Sequence, residues 1–144
     1  MSSIVSLSLS LFDPEQGMYS YISCSDLDFR DAVGSEDSRS TLWGSMPMRR
    51  RAYRFFPVLL SADLFVFPHE LDCFKRECVS VWNDARLIAA ELPDSIAEKW
   101  CPIGREIRLR VKHIRGARQI RTYIRRIQYA IELAEPRKLG VSIS

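Results

Sequence analysis

Clustered arginines are the residues of this chain best suited to chemistry. Nine Lys/Arg fall between Arg105 and Arg126 (Arg105, Arg108, Arg110, Lys112, Arg115, Arg118, Arg121, Arg125, Arg126) against one acid, Glu106. A second cluster is Arg49, Arg50, Arg51 and Arg54. Guanidinium forks match the paired oxygens of phosphate and carboxylate equally well. Packed side by side, the two segments would form a basic face able to neutralise several phosphates, with Arg108, Arg115, Arg118 and Arg121 at its centre. The same spacing also describes the solvated faces of amphipathic helices, and both readings stay open. The counterpart is the acidic stretch Asp26, Asp28, Asp31, Glu36 and Asp37. It reads either as a soluble loop or as a phosphate-like surface aimed at a basic protein.

Catalytic and metal-binding patterns are few. The chain has no glycine-rich phosphate loop, no G-x-S-x-G elbow, no H-E-x-x-H and no paired C-x-x-C. His69 and Cys73 stand four residues apart, but a structural zinc needs four ligands, and Cys78 falls on another face. Cys101 before Pro102 has no evident base or orienting carboxylate. The expectation is a non-enzyme without cofactor or metal.

The elements that must carry these groups follow from periodicity. Val5, Leu7, Leu9 and Leu11 alternate with serines, and Tyr19–Ile22 returns after turn residues, so residues 4–23 predict a hairpin with one serine face. Residues 26–33 suggest a short helix closed by Gly34. Ser45 and Pro47 predict a helix start, and Pro57 its end near Phe56. Leu64–Phe67 reads as a short strand buried on both faces or at a sheet edge. Leu71, Phe74, Cys78, Val81, Trp82, Ala85, Ile88 and Leu92 predict a helix over 68–92 that Pro93 stops, with a helical turn over 95–100. Residues 105–116 fit a strand or a helix, with Gly116 interrupting either, and the pattern is helical from Ala117 to Pro136. Val141 and Ile143 alternate with serines, so the last strand would pair with the hairpin. The fold expected is a single α+β domain over 1–144: a small, mainly antiparallel sheet packed with three or four helices. Trp43, beside Gly44, would be an interface anchor if exposed; with Tyr53, Phe55, Phe56, Phe65 and Phe67 it equally fits a core.

The 144 residues have a formal net charge of +3, but the charge is divided. Residues 1–100 hold ten basic and fifteen acidic residues; residues 101–144 hold eleven and three. That asymmetry points to a charged partner. Met1–Phe12 lacks the basic start and cleavage site of a secretion signal, and no apolar run approaches the roughly 18 residues of a membrane span. A cytoplasmic chain with reduced cysteines and no membrane partner is expected.

Residues 42–92 carry Leu42-Trp43-Gly44-Ser45, a helix, Phe55-Phe56-Pro57, a short strand, and Glu70-Leu71-Asp72 opening a long helix. In this the chain resembles small uncharacterised bacterial α/β proteins of the toxin-immunity kind. The resemblance implies a protein partner, a toxin or effector domain that is bound and occluded, and assigns no functional residues. On this reading the contacts are Asp26, Asp28, Asp31, Glu36, Asp37 and Trp43. The alternative is a nucleic-acid-binding regulator using the 105–126 arginines.

Overall fold

A strand needs one face that can be buried, and the leucine–serine alternation provides it at both ends of the chain. The computed structural model describes residues 5–22, 24–29, 32–93 and 104–144, and of residues 105–110 the backbone alone. Strand β1 (Leu7–Asp13) turns at Gly17 (φ +64°) into β2 (Met18–Ile22), and β4 (Gly140–Ile143) lies on its other side. The edge strand β3 (Leu64–Val66) completes a four-stranded antiparallel sheet of order β2-β1-β4-β3. Register pairs Leu7 with Ile143, Ser8 with Ser142, Leu9 with Val141 and Ser10 with Gly140. Leucines and branched residues therefore share one face and the small residues share the other, as the two serine alternations lead one to expect.

Behind the apolar face lie α2 (Leu71–Glu91) and α3 (Arg105–Ala134), packed along each other, with α3 also against β1 and β4. Leu7, Leu9, Val141 and Ile143 from the sheet join Phe74, Val81 and Ile88 of α2 and Ile120, Ile124 and Ile127 of α3 in one contiguous core. Lys112 donates to the carbonyl of Leu92 just beyond the end of α2, where a cation is favourable. The stretch from residue 105 is thus helix, not strand, and Gly116 is a buried helical position that interrupts nothing.

Between β2 and β3 the chain departs from expectation twice. The described residues of 26–33 form no α-helix: a 3-10 turn spans Ser25–Leu27, and Arg30 and Asp31 lie outside the described residues. Helix α1 (Met46–Arg50) ends at Arg50 instead of running to Phe56. The reason is Glu77 on α2. Its Oε1 accepts the N–H of Arg54, and its Oε2 accepts those of Phe55 at 2.9 Å and Phe56 at 3.0 Å. Three amides that would have continued the helix are taken by one carboxylate. Ala52 turns through a left-handed conformation (φ +56°), and the Arg51 guanidinium closes the helix end on the carbonyl of Pro47. Ser45 precedes α1 as expected, but its hydroxyl donates back to the carbonyl of Leu42. The turn expected over 95–100 lies outside the described residues.

Glu77 is 8% exposed, and burial pushes its pKa above the ordinary carboxylate value against the pull of the three N–H groups. Glu77→Ala leaves the N–H groups of Phe55 and Phe56 buried and unpaired, at about 1–3 kcal/mol each. The unfolding free energy is expected to fall by roughly 3 kcal/mol, read from urea denaturation. Glu77→Gln, which keeps one acceptor oxygen, is expected to lose less.

Candidate functional site

The face of the sheet turned away from the helices is built from small residues in the middle and aromatic rings at the edges. Ser8, Ser10, Gly140 and Ser142 occupy β1 and β4, while Tyr19, Tyr21 and Phe65 stand on the edge strands β2 and β3. The edge strands lie three strand spacings, about 14 Å, apart, yet the rings of Tyr19 and Phe65 stack at 4.1 Å. Both side chains must therefore lean inward over the small residues. Phe12 meets Tyr19 at 4.9 Å and Phe67 edge-on at 5.5 Å, and Phe67 stacks on His69. The serines form the floor under this roof: Ser142 is fully buried and Ser10 nearly so. A side chain at Gly140 would collide with the Val66 carbonyl and crowd Ser10, so glycine keeps the floor flat. The top of the roof is open, with Tyr21 52% and Phe12 37% exposed.

The predicted acidic contacts differ in their surroundings. Asp26 and Asp28 are exposed in and beside the Ser25–Leu27 turn. Asp28 lines a cavity of about 440 Å³ together with Ser8, Tyr21, Cys24 and Phe29, which makes it continuous with the aromatic face. Glu36 is instead paired with Arg39 at 2.7 Å, and Arg39 also holds Asp63 at 2.7 Å. The carbonyl of Asp37 accepts the hydroxyls of Ser40 and Thr41. Asp31 lies outside the described residues. Trp43 is a correction: it is completely buried, stacked on Phe56 at 4.7 Å, with its Nε1 donating to the Val33 carbonyl. It belongs to the core and offers nothing to a partner.

The basic cluster is corrected in the same way. Arg50 and Arg51 both reach Glu91, Arg51 also faces Asp84, and Arg54 pairs with Glu70 at 2.6 Å. Of the four, Arg49 alone makes no ion pair among the described residues. Arg50, Arg51 and Arg54 tie the end of α1 and the loop after it to acids on and just before α2. The phenol of Tyr53 donates to Asp84, and burial raises its pKa.

On the other side of α2 the arginines are treated differently. A groove of about 510 Å³ runs between α2 and α3, lined by Trp82, Arg86, Ile114, Arg118, Arg121, Thr122 and Arg125. The guanidinium of Arg121 lies 5.4 Å from the centre of the Trp82 ring and that of Arg125 lies 5.6 Å from it. Arg121 Nε also donates to the Trp82 carbonyl at 3.2 Å. Arg115 is exposed one turn before Arg118. Trp82 looked like part of the apolar stripe of its helix, and its place at the margin of that stripe was the available signal. The side chain of Arg108 lies outside the described residues.

The cysteines differ in their surroundings. Burial pushes the Cys78 thiol pKa well up, Cys73 is exposed, and Cys101 lies outside the described residues. Among the described residues no three His, Cys, Asp or Glu side chains are grouped to hold a metal ion. No helix among them is long and apolar enough to cross a membrane. Comparison with family models, curated proteins and solved structures finds no match to this chain.

The Glu91 carboxyl is held below its ordinary value, first by the hydrogen bonds from Arg51. A carboxyl lowered in the fold stabilises above its unfolded pKa, and that contribution is lost as pH falls through the folded value. The stability difference between the native chain and Glu91→Gln is therefore expected to be full at about pH 7 and smaller at about pH 3. Urea midpoints at the two pH values measure it.

Proposed function

We propose that this chain is a non-catalytic binding protein that captures and occludes a basic partner protein in the cytoplasm, in the manner of an immunity protein acting on its toxin. The observation that carries the proposal is the open aromatic face: Phe12, Tyr19, Tyr21, Phe65 and Phe67 displayed on a rigid sheet, with Asp28 at its margin. Tyr and Phe offer large contact areas with few rotatable bonds, and rings already packed on one another lose little further freedom on binding. Asp26 and Asp28 add a negative margin that speeds encounter with a positive surface. The rings and their serine floor carry no cation, so this face suits a basic protein and repels a polyanion.

Co-expression with a candidate toxin encoded beside this chain tests the reading. Growth rescue and a copurifying complex are expected. Phe12→Ala with Tyr21→Ala is expected to weaken the complex on the order of 10²-fold while the thermal melt stays cooperative. Asp26→Lys with Asp28→Lys is expected to slow association and reduce its salt dependence. Full affinity in both variants would move the contact elsewhere, and a toxin neutralised by turnover instead of stoichiometric binding would overturn a non-catalytic role.

A further inference from the structure

We propose that the groove between α2 and α3 is a second binding site, for the sugar–phosphate backbone of a nucleic acid. The proposal does not rest on the aromatic face. Arg86, Arg118, Arg121 and Arg125 converge there, and none makes an ion pair among the described residues, whereas Arg50, Arg51 and Arg54 each meet a carboxylate. Among the described residues no acid lines the groove. Two of the four guanidiniums are held in place without any anion: Arg121 and Arg125 lie against the Trp82 ring, and Arg121 is further fixed to the Trp82 carbonyl. Their planes are oriented before a ligand arrives, so less rotamer entropy is lost when they grip one. Thr122 places a hydroxyl among them; it donates to the Arg118 carbonyl, which leaves its oxygen as an acceptor only.

The geometry favours a chain of phosphates over the other anions. Arg115 to Arg125 spans ten residues of α3, about 15 Å of helix axis. One strand of a duplex presents about four phosphates over that length. A single free phosphate would engage only part of the row. A membrane surface would need an unpartnered apolar helix face beside the cations, but Ile120, Ile124, Ile127 and Ile131 of α3 are buried in the core. Because arginines already lie against the Trp82 ring, it is not a free platform for bases, and binding is expected to ignore sequence.

The test is fluorescence anisotropy of the intact chain with a labelled random-sequence duplex, titrated between about 50 and about 200 mM salt. Four neutralised phosphates predict a slope of log affinity against log salt near −3.6, roughly a 10²-fold loss over that range. Arg118→Gln with Arg125→Gln, which keeps polar side chains of fair length, is expected to reduce the slope to about −1.8. Arg49→Gln, an exposed arginine outside the groove, is expected to leave it unchanged. No binding at the lower salt overturns the proposal. So does an equal effect of Arg49→Gln, which would mean diffuse charge, or tighter binding of a charge-matched polyglutamate, which would make the site one for acidic proteins. Failure of any of these leaves toxin capture by the aromatic face to stand or fall on its own variants.

Discussion

One buried carboxylate organises the middle of this protein. Residues 46–66 contain a single turn of α-helix, a 3-10 segment (Phe56–Leu60) and a three-residue strand, too little regular structure to hold their own backbone in place. Glu77 does it from outside by accepting three successive N–H groups at 54–56. Phe55 and Phe56 are thereby pinned against Phe74 of α2, at 5.2 and 5.4 Å. The cost is desolvation of a charge, visible in its raised pKa. What is gained is position. From Phe56 the chain has only a few residues in which to reach β3, so where Glu77 holds the backbone decides where Phe65 and Phe67 arrive over the sheet. Arg51, Arg54 and Tyr53 reinforce the same docking with Glu91, Glu70 and Asp84.

Periodicity made the regular elements legible. The leucine–serine alternation of β1 and the valine–serine alternation of β4 are complementary, and the register places serine beside serine. The apolar stripe of α2 predicts its span to within a few residues. The segment 105–116 was ambiguous because Ile107, Leu109 and Val111 alternate while Ile107, Val111 and Ile114 also fall at helical spacing; the packing of α3 along α2 decided it. The premature end of α1 was not legible. Nothing local stops a helix at Arg50, and the residue responsible is 27 positions later, on another element.

The surfaces were harder to read, because exposure depends on register and rotation and residue type does not reveal it. Trp43 and Trp82 show this. Trp43, beside a glycine, was the candidate anchor and lies in the core; Trp82, part of an apolar stripe, lies at its edge under two guanidiniums. Phe65 and Phe67 sit in a run of four apolar residues that fits a strand buried on both faces or one at a sheet edge, and β3 is the edge strand. Only their pairing on the serine face turns them outward. The serines were read correctly as one face of a sheet, but why that face is made of serine became clear only with the rings lying over it.

The net charge of +3 takes its meaning from how the charges pair. Five acids of the first hundred residues are matched by arginines of the same half: Glu36 and Asp63 by Arg39, Glu70 by Arg54, Asp84 and Glu91 by Arg50 and Arg51. Lys75 pairs with Glu135 across the two halves. Arg126 is used structurally, donating to the Ala32 carbonyl and covering Phe29, and Lys112 is bonded to Leu92. Among the described residues, Arg115, Arg118, Arg121 and Arg125 stand along one stretch of α3, with Arg86 added from α2. A fold that needed those cations only for solubility would gain from scattering them, since like charges brought together repel. The gathering of Arg86, Arg118, Arg121 and Arg125 around one groove, two of them against Trp82, is the arrangement expected when an anion is to complete the surface.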